Sequence, residues 1–259
     1  MKVKRSHQAL GSVIRFSALV ATGTAVFFAS SMLQARAPRR GAAEVLRTPS
    51  PSSGAETASL FSPEKGKFRI RVNGQDAGTE EFEIGRSGSD WVAHGTSEIQ
   101  TPQGVAHVTG TLTLQPDGTP SRYEWSTKGV NKSSAAIVFS GTTATVELNM
   151  EGARPFTQQF TFSSPRIAIL DNNLYHQYSV LARLYDWGKK GAQTFSVLVP
   201  QEMTPGTVTV ESLGKQDFGG TALEELSVKT EDIELDLYLD GQRLVRIVAP
   251  SSNAEVTRE

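Results

Sequence analysis

Ile169–Gly191, ILDNNLYHQYSVLARLYDWGKKG, is the stretch of this chain that reads as helix while the sequence on both sides reads as strand. On a wheel of about 100° per residue, Leu174, Tyr178, Leu181 and Tyr185 fall on one narrow stripe, bordered by Ala182 and Leu184. Tyr175, His176, Ser179, Arg183 and Asp186 take the opposite side. Asp171, Asn172 and Asn173 offer N-cap oxygens, and Gly188 followed by Lys189 and Lys190 is a stop signal. The spacing predicts an amphipathic helix over 174–187. Its tyrosine-rich stripe needs an apolar partner, and the flanking sequence decides what that partner is.

Upstream, Phe68, Ile70 and Val72 alternate with Lys67, Arg69, Arg71 and Asn73, and a turn at Gly74–Gly78 leads to Phe82 and Ile84 on the apolar side of a second strand. Setting Ile70 opposite Phe82 puts Arg71 against Glu81 and Arg69 against Glu83. The next pair, Trp91–Gln100 and Val105–Gln115, turns at Thr101–Gly104. Trp91, Ala93, Ile99, Val108, Leu112 and Leu114 then share one face, and His94, Thr96, Glu98, His107, Thr109 and Thr111 the other. His107 faces Glu98 while His94 faces Thr111, more than ~10 Å along the strand, so the two histidines do not converge on a metal or an acid–base pair.

Further strands are read at 122–128, 135–140, 143–150, 155–162, 192–199, 206–213 and 220–229. In the final hairpin Ile233, Leu235, Leu237 and Leu239 form one apolar row, and Val245, Ile247 and Ala249 form the other. An odd loop is needed to keep both rows on one side. About a dozen closely spaced strands without a βαβ rhythm predict a mainly β fold. The expectation is one strongly curved antiparallel sheet or half-open barrel, with the single amphipathic helix packed on its concave face or mouth.

The ends of the chain set its address. Lys2, Lys4, Arg5 and Arg15 precede a run of apolar, small and hydroxyl residues from Phe16 to Leu33, so residues 1–35 read as an export signal, or a signal-anchor if uncleaved. Residues 36–65 are rich in Ala, Pro, Arg and Ser and read as a disordered linker, leaving 66–259 as the β domain. Ser62 and Lys65 have the spacing of a Ser/Lys acyl enzyme but stand at a linker edge with no helix to pair them.

The 259 residues carry a formal charge of −1, with 38% hydrophobic and 20% charged residues and no cysteine. Disulfides, thiolate zinc sites and a cysteine nucleophile are thereby excluded. Basic residues beyond the linker are scattered among acids, which argues against a nucleic-acid partner. No nucleophile-elbow, zinc-protease or phosphate-loop motif occurs, so no catalytic residue, metal ligand or cofactor is assigned.

The hairpins KFRIRVNGQDAGTEEFEI (67–84) and IELDLYLDGQRLVRIVAP (233–250) resemble those of uncharacterised bacterial periplasmic proteins made of one antiparallel β domain. The architecture is also similar to envelope lipoprotein carriers, whose half-barrel holds acyl chains under helices. This chain departs from them in its single helix and its lack of a lipobox cysteine. The resemblance implies a periplasmic β domain and offers no catalytic residues to carry over. The mismatch between a large curved sheet and one tyrosine-rich helix points to a non-enzymatic exported protein that binds an apolar, lipid-like ligand or an envelope component, with membrane contact only through an uncleaved leader. Leu174, Tyr178, Leu181, Tyr185 and Trp187 are the candidate ligand contacts. The alternatives are a structural or interaction module with a solid core, and a hydrolase using His176 or His107.

Overall fold

The computed structural model describes residues 59–129, 132–230 and 233–259, so the predicted leader and nearly all of the linker lie outside the described residues. From the first strand the chain runs as a meander: β1 (Glu64–Val72), β2 (Gln75–Ser87), β3 (Asp90–Thr101), β4 (Gly104–Leu114), β5 (Pro120–Lys128), β6 (Ser133–Ser140), β7 (Thr143–Met150) and β8 (Phe156–Thr161). After β9 (Ile167–Ile169) and the helix α1 (His176–Leu184) a second meander follows: β10 (Gln193–Val199), β11 (Thr204–Phe218), β12 (Thr221–Lys229), β13 (Glu234–Asp240), β14 (Arg243–Ala249) and β15 (Ala254–Arg258). β15 returns beside β1, with Ile70 opposite Val256 and Val72 opposite Ala254. The two meanders are thereby joined into one sheet of 15 strands, with β8 and β9 as its edges. Every pairing is antiparallel except β9 with β10.

The strand count exceeds the expected dozen because β15 and the short β9 carry too little pattern in the sequence to predict a strand. Ala254 and Val256 do alternate with polar residues, but only over five positions behind Pro250. Continuous apolar runs such as Ile167-Ala168-Ile169 and Val197-Leu198-Val199 are buried on both faces, which is why they do not alternate.

The curvature follows from what the helix touches. α1 packs against β3, β14 and β9. In sheet order β3 and β14 stand four places apart, and β14 and β9 five. At ~4.8 Å per strand a flat sheet would separate those pairs by ~19 and ~24 Å, too far for one helix ~10 Å across. The sheet is rolled around α1, yet its edges do not pair. Only the short link Phe162–Arg166 joins them, anchored by the Phe162 N–H on the Thr142 carbonyl at 2.8 Å.

Three predicted details are corrected. The first hairpin turns at Asn73-Gly74, both at positive φ (53° and 75°), as a two-residue turn of the mirror-image kind favoured by an Asn-Gly pair. The turn sets Arg71 opposite Asp76, a bulge between Ile70 and Arg71 then places Ile70 opposite Gly78, and the outer charge pairs are Lys65–Glu83 at 3.1 Å, Lys67–Glu81 at 3.9 Å and Arg71–Asp76 at 2.9 Å. In the last hairpin the loop is even, and a bulge between Tyr238 and Leu239 restores the parity, burying Leu244 in place of Val245. The folded part also reaches ahead of Gly66: Phe61 is buried against Trp91, ring centroids 5.7 Å apart.

Candidate functional site

The strands that carry the helix are cut back to make room for it. On the inner row of β3, Gly95 and Ser97 interrupt Trp91, Ala93 and Ile99, and Gly95 stands opposite Gly110 of β4. A Cβ on Gly95 would lie 2.4 Å from His176 Nδ1, and one on Gly110 would lie 2.5 Å from Leu174 Cδ1. The first turn of α1 sits directly on this glycine floor.

The expected polar side of the helix does not face water. Every residue of α1 is buried, His176, Gln177, Ser179 and Arg183 among them. The helix is also shorter than 174–187, because Tyr185 is already extended (ψ 124°) and Asp186–Lys189 form a turn. None of Asp171, Asn172 and Asn173 caps it. The cap comes instead from across the core: Glu80 of β2 accepts the Tyr175 N–H at 2.8 Å and the His176 N–H at 3.0 Å through one carboxylate oxygen. Its other oxygen lies 2.6 Å from His176 Nδ1. A carboxylate there satisfies two otherwise orphaned donors and faces the positive end of the helix dipole.

Beside this cap lies a second buried group. Tyr123 donates its hydroxyl to Asp171 Oδ2 at 2.8 Å, and Gln177 donates to the Tyr123 oxygen at 3.1 Å. Asp171 Oδ1 accepts the Gln201 N–H at 2.9 Å and the Asn172 N–H at 3.2 Å. Burial nevertheless outweighs these donors and pushes the Asp171 carboxyl up to about 7. The other end of α1 is tied by Arg183, whose guanidinium meets Glu64 of β1, and the same carboxylate holds Arg258 of β15. Both ends of the helix are thus fastened by carboxylates of the first two strands.

Chemically the nearest thing to catalytic machinery is the Glu80–His176 pair, with His176 Nε2 and the Ser179 hydroxyl both left without a partner. All three side chains are fully buried, so no reactant touches them while the helix is seated. His94 bonds Thr111 at 2.8 Å and His107 reaches Glu98 at 3.4 Å, each on the outer face and each across from the residue the sequence places there. Among the described residues no group of three or more His, Cys, Asp or Glu is placed to hold a metal.

Of the predicted ligand contacts, Leu174, Tyr178, Leu181 and Tyr185 are core residues. Tyr185 donates its hydroxyl to the Gly191 carbonyl at 2.9 Å. Trp187 is 38% exposed and stands edge-on to the Tyr185 ring at 5.1 Å. An open groove of about 430 Å³ lies at the sheet seam, its wall including Ser163, Arg166, Leu184, Lys189 and Phe195, but neither Tyr178 nor Tyr185. Sequence reasoning missed Glu80, although it is in phase with Phe82 and Ile84 on β2; a carboxylate within an apolar row was the available signal.

No family model and no curated protein matches this chain. Among solved structures it is similar to the crystal structure of a β-barrel-like protein of a domain of unknown function, DUF1849, from Brucella abortus. The TM-score is 0.53 at 10% identity, over 78% of this chain and 97% of that one. The likeness is one of fold. It agrees with the expectation of a bacterial β domain of uncharacterised type, and it carries no activity across.

Proposed function

We propose that this is an exported envelope protein that acts by binding rather than by catalysis, and that it meets an envelope component on its outside. One observation carries this reading: the whole of His176–Leu184 is buried, so the interior that a lipid carrier would keep for its ligand is occupied by the chain's own helix. A buried Glu–His pair that caps a helix needs no substrate to explain it. Export is supported by the residues 1–35 pattern.

A second reading keeps the apolar ligand but moves it to the seam, where Leu184 and Phe195 floor the groove between Arg166 and Lys189. Native mass spectrometry of protein purified from its host without detergent, followed by titration with a fluorescent fatty acid, separates the two. No co-purified lipid and no saturable uptake support the first reading. Uptake that is lost when the groove is filled by Thr194→Trp overturns it in favour of the second. A reporter active only outside the cytoplasm, fused after the β domain, tests export.

A further inference from the structure

The two edges of the sheet are treated differently by the sequence. β9 is three residues long and buried, so its edge offers nothing to a partner. β8, FTQQFT, is exposed at most positions and contains no charge, no proline and no bulge. Those are the devices by which exposed edges are ordinarily kept from pairing with other chains.

The phase of the ladder shows which groups are free. The Phe162 N–H bonds Thr142, so Phe160, Gln158 and Phe156, two residues apart in turn, point their backbone groups at β7. The N–H and C=O of Thr157, Gln159 and Thr161 point away from it and meet no partner among the described residues. Phe156 and Met150 at this corner are 49% and 48% exposed.

We infer that β8 pairs antiparallel with β8 of a second copy of this chain about a two-fold axis through Gln159. Gln159 then faces Gln159 of the other copy, and Thr157 faces Thr161. Three outward residues on each chain, each with one donor and one acceptor, supply about six interchain backbone bonds. The register sets Phe156 opposite Phe162 of the other copy and covers its exposed ring. Self-pairing fits because a two-fold contact sets the strand against its own sequence, and here no charge meets its like.

Sedimentation velocity of the full exported chain between about 2 and 200 µM tests the pairing, a range suited to so small a contact. The expected result is a concentration-dependent dimer. Gln159→Pro removes an outward N–H while leaving the β7 ladder intact, and weakens dimerisation by about tenfold or more. Thr157→Lys combined with Thr161→Lys sets like charges across the axis and abolishes the dimer; Thr157→Lys with Thr161→Glu sets opposite charges and restores it. A monomer throughout the range overturns the inference, as does a dimer indifferent to all three variants, or an edge that cross-links through position 159 only to a different protein.

Discussion

Gly95→Ala tests whether the helix is seated as described. The added methyl would stand 2.4 Å from His176 Nδ1, 2.5 Å from His176 Cε1 and 2.6 Å from Glu80 Oε1. Comfortable contact needs about 3.5 Å, so the imidazole and carboxylate must retreat by about 1 Å in a core that has no slack. Overpacking of this kind costs about 1–3 kcal/mol, and separating a buried pair about 3–5 kcal/mol if the bond is lost outright. A loss of about 3 kcal/mol is therefore expected, read from the urea midpoint at unchanged slope. Gly85→Ala is the control: it lies on the adjacent strand, where a Cβ would meet only Glu83 Oε1 at 3.9 Å, and is expected to be neutral or to stabilise by a few tenths of a kcal/mol. If Gly95→Ala is as stable as Gly85→Ala, the first turn of α1 does not rest on β3 and the site is wrongly built.

Gly110→Ala meets the flexible tip of Leu174 and the Tyr123 hydroxyl rather than a bonded pair, so the same titration should show a smaller loss of about 1–2 kcal/mol. Glu64→Gln leaves Arg183 and Arg258 without their counter-charge and should destabilise by about 3–5 kcal/mol, with partial recovery when Arg183→Met is added; additive losses would refute the coupling. Asp171, raised from 3.8 to about 7 in the fold, binds a proton that the unfolded chain has released, so its contribution is complete below about pH 4 and is lost as pH rises to about 7. The full span is roughly 4 kcal/mol. Asp171→Asn should flatten stability across that window, as measured by urea midpoints at pH 5 and 8, and an unchanged pH profile would refute the assignment. His176→Ala should weaken folding without abolishing any hydrolytic activity of the host extract.

Alternation was the readable part of the sequence. It placed Trp91, Ala93, Ile99, Val108 and Leu112 in the core and set His107 against Glu98, because a two-residue period with four turn residues leaves one register. It failed where one residue changed the parity, at the bulges after Ile70 and Tyr238, since a bulge leaves no mark in the pattern of apolar residues. The Asn73-Gly74 signal was present and sets Arg71 opposite Asp76, but the bulge behind it is what carries Ile70 to Gly78. The helix was recognisable, but its surroundings were not. A wheel separates polar from apolar and assumes that the polar side meets water, whereas this helix is enclosed on all sides and its polar residues find carboxylates from strands some 95 to 119 positions away in sequence.

Those carboxylates do something that apolar packing does not. A stripe repeating every three to four residues, such as Leu174, Tyr178, Leu181 and Tyr185, could slide by one turn, ~5.4 Å, and bury nearly as much. Glu80 forbids the slide, because the N–H groups of Tyr175 and His176 are free only at a helix start; one turn further on the corresponding donors are already bonded within the helix. Glu64 forbids rotation in the same way through Arg183. The two anchors also match in length: seven residues from His176 to Arg183 rise ~10.5 Å, and Glu64, paired with Ile84, stands four β2 positions from Glu80, or ~13.6 Å, the difference falling within the reach of an arginine side chain. A buried ion pair adds little net stability over an apolar one of the same shape, so its effect here is to select one seat for the helix. The shape of the outer surface depends on that seat, and with it the position of the β8 edge and the seam groove.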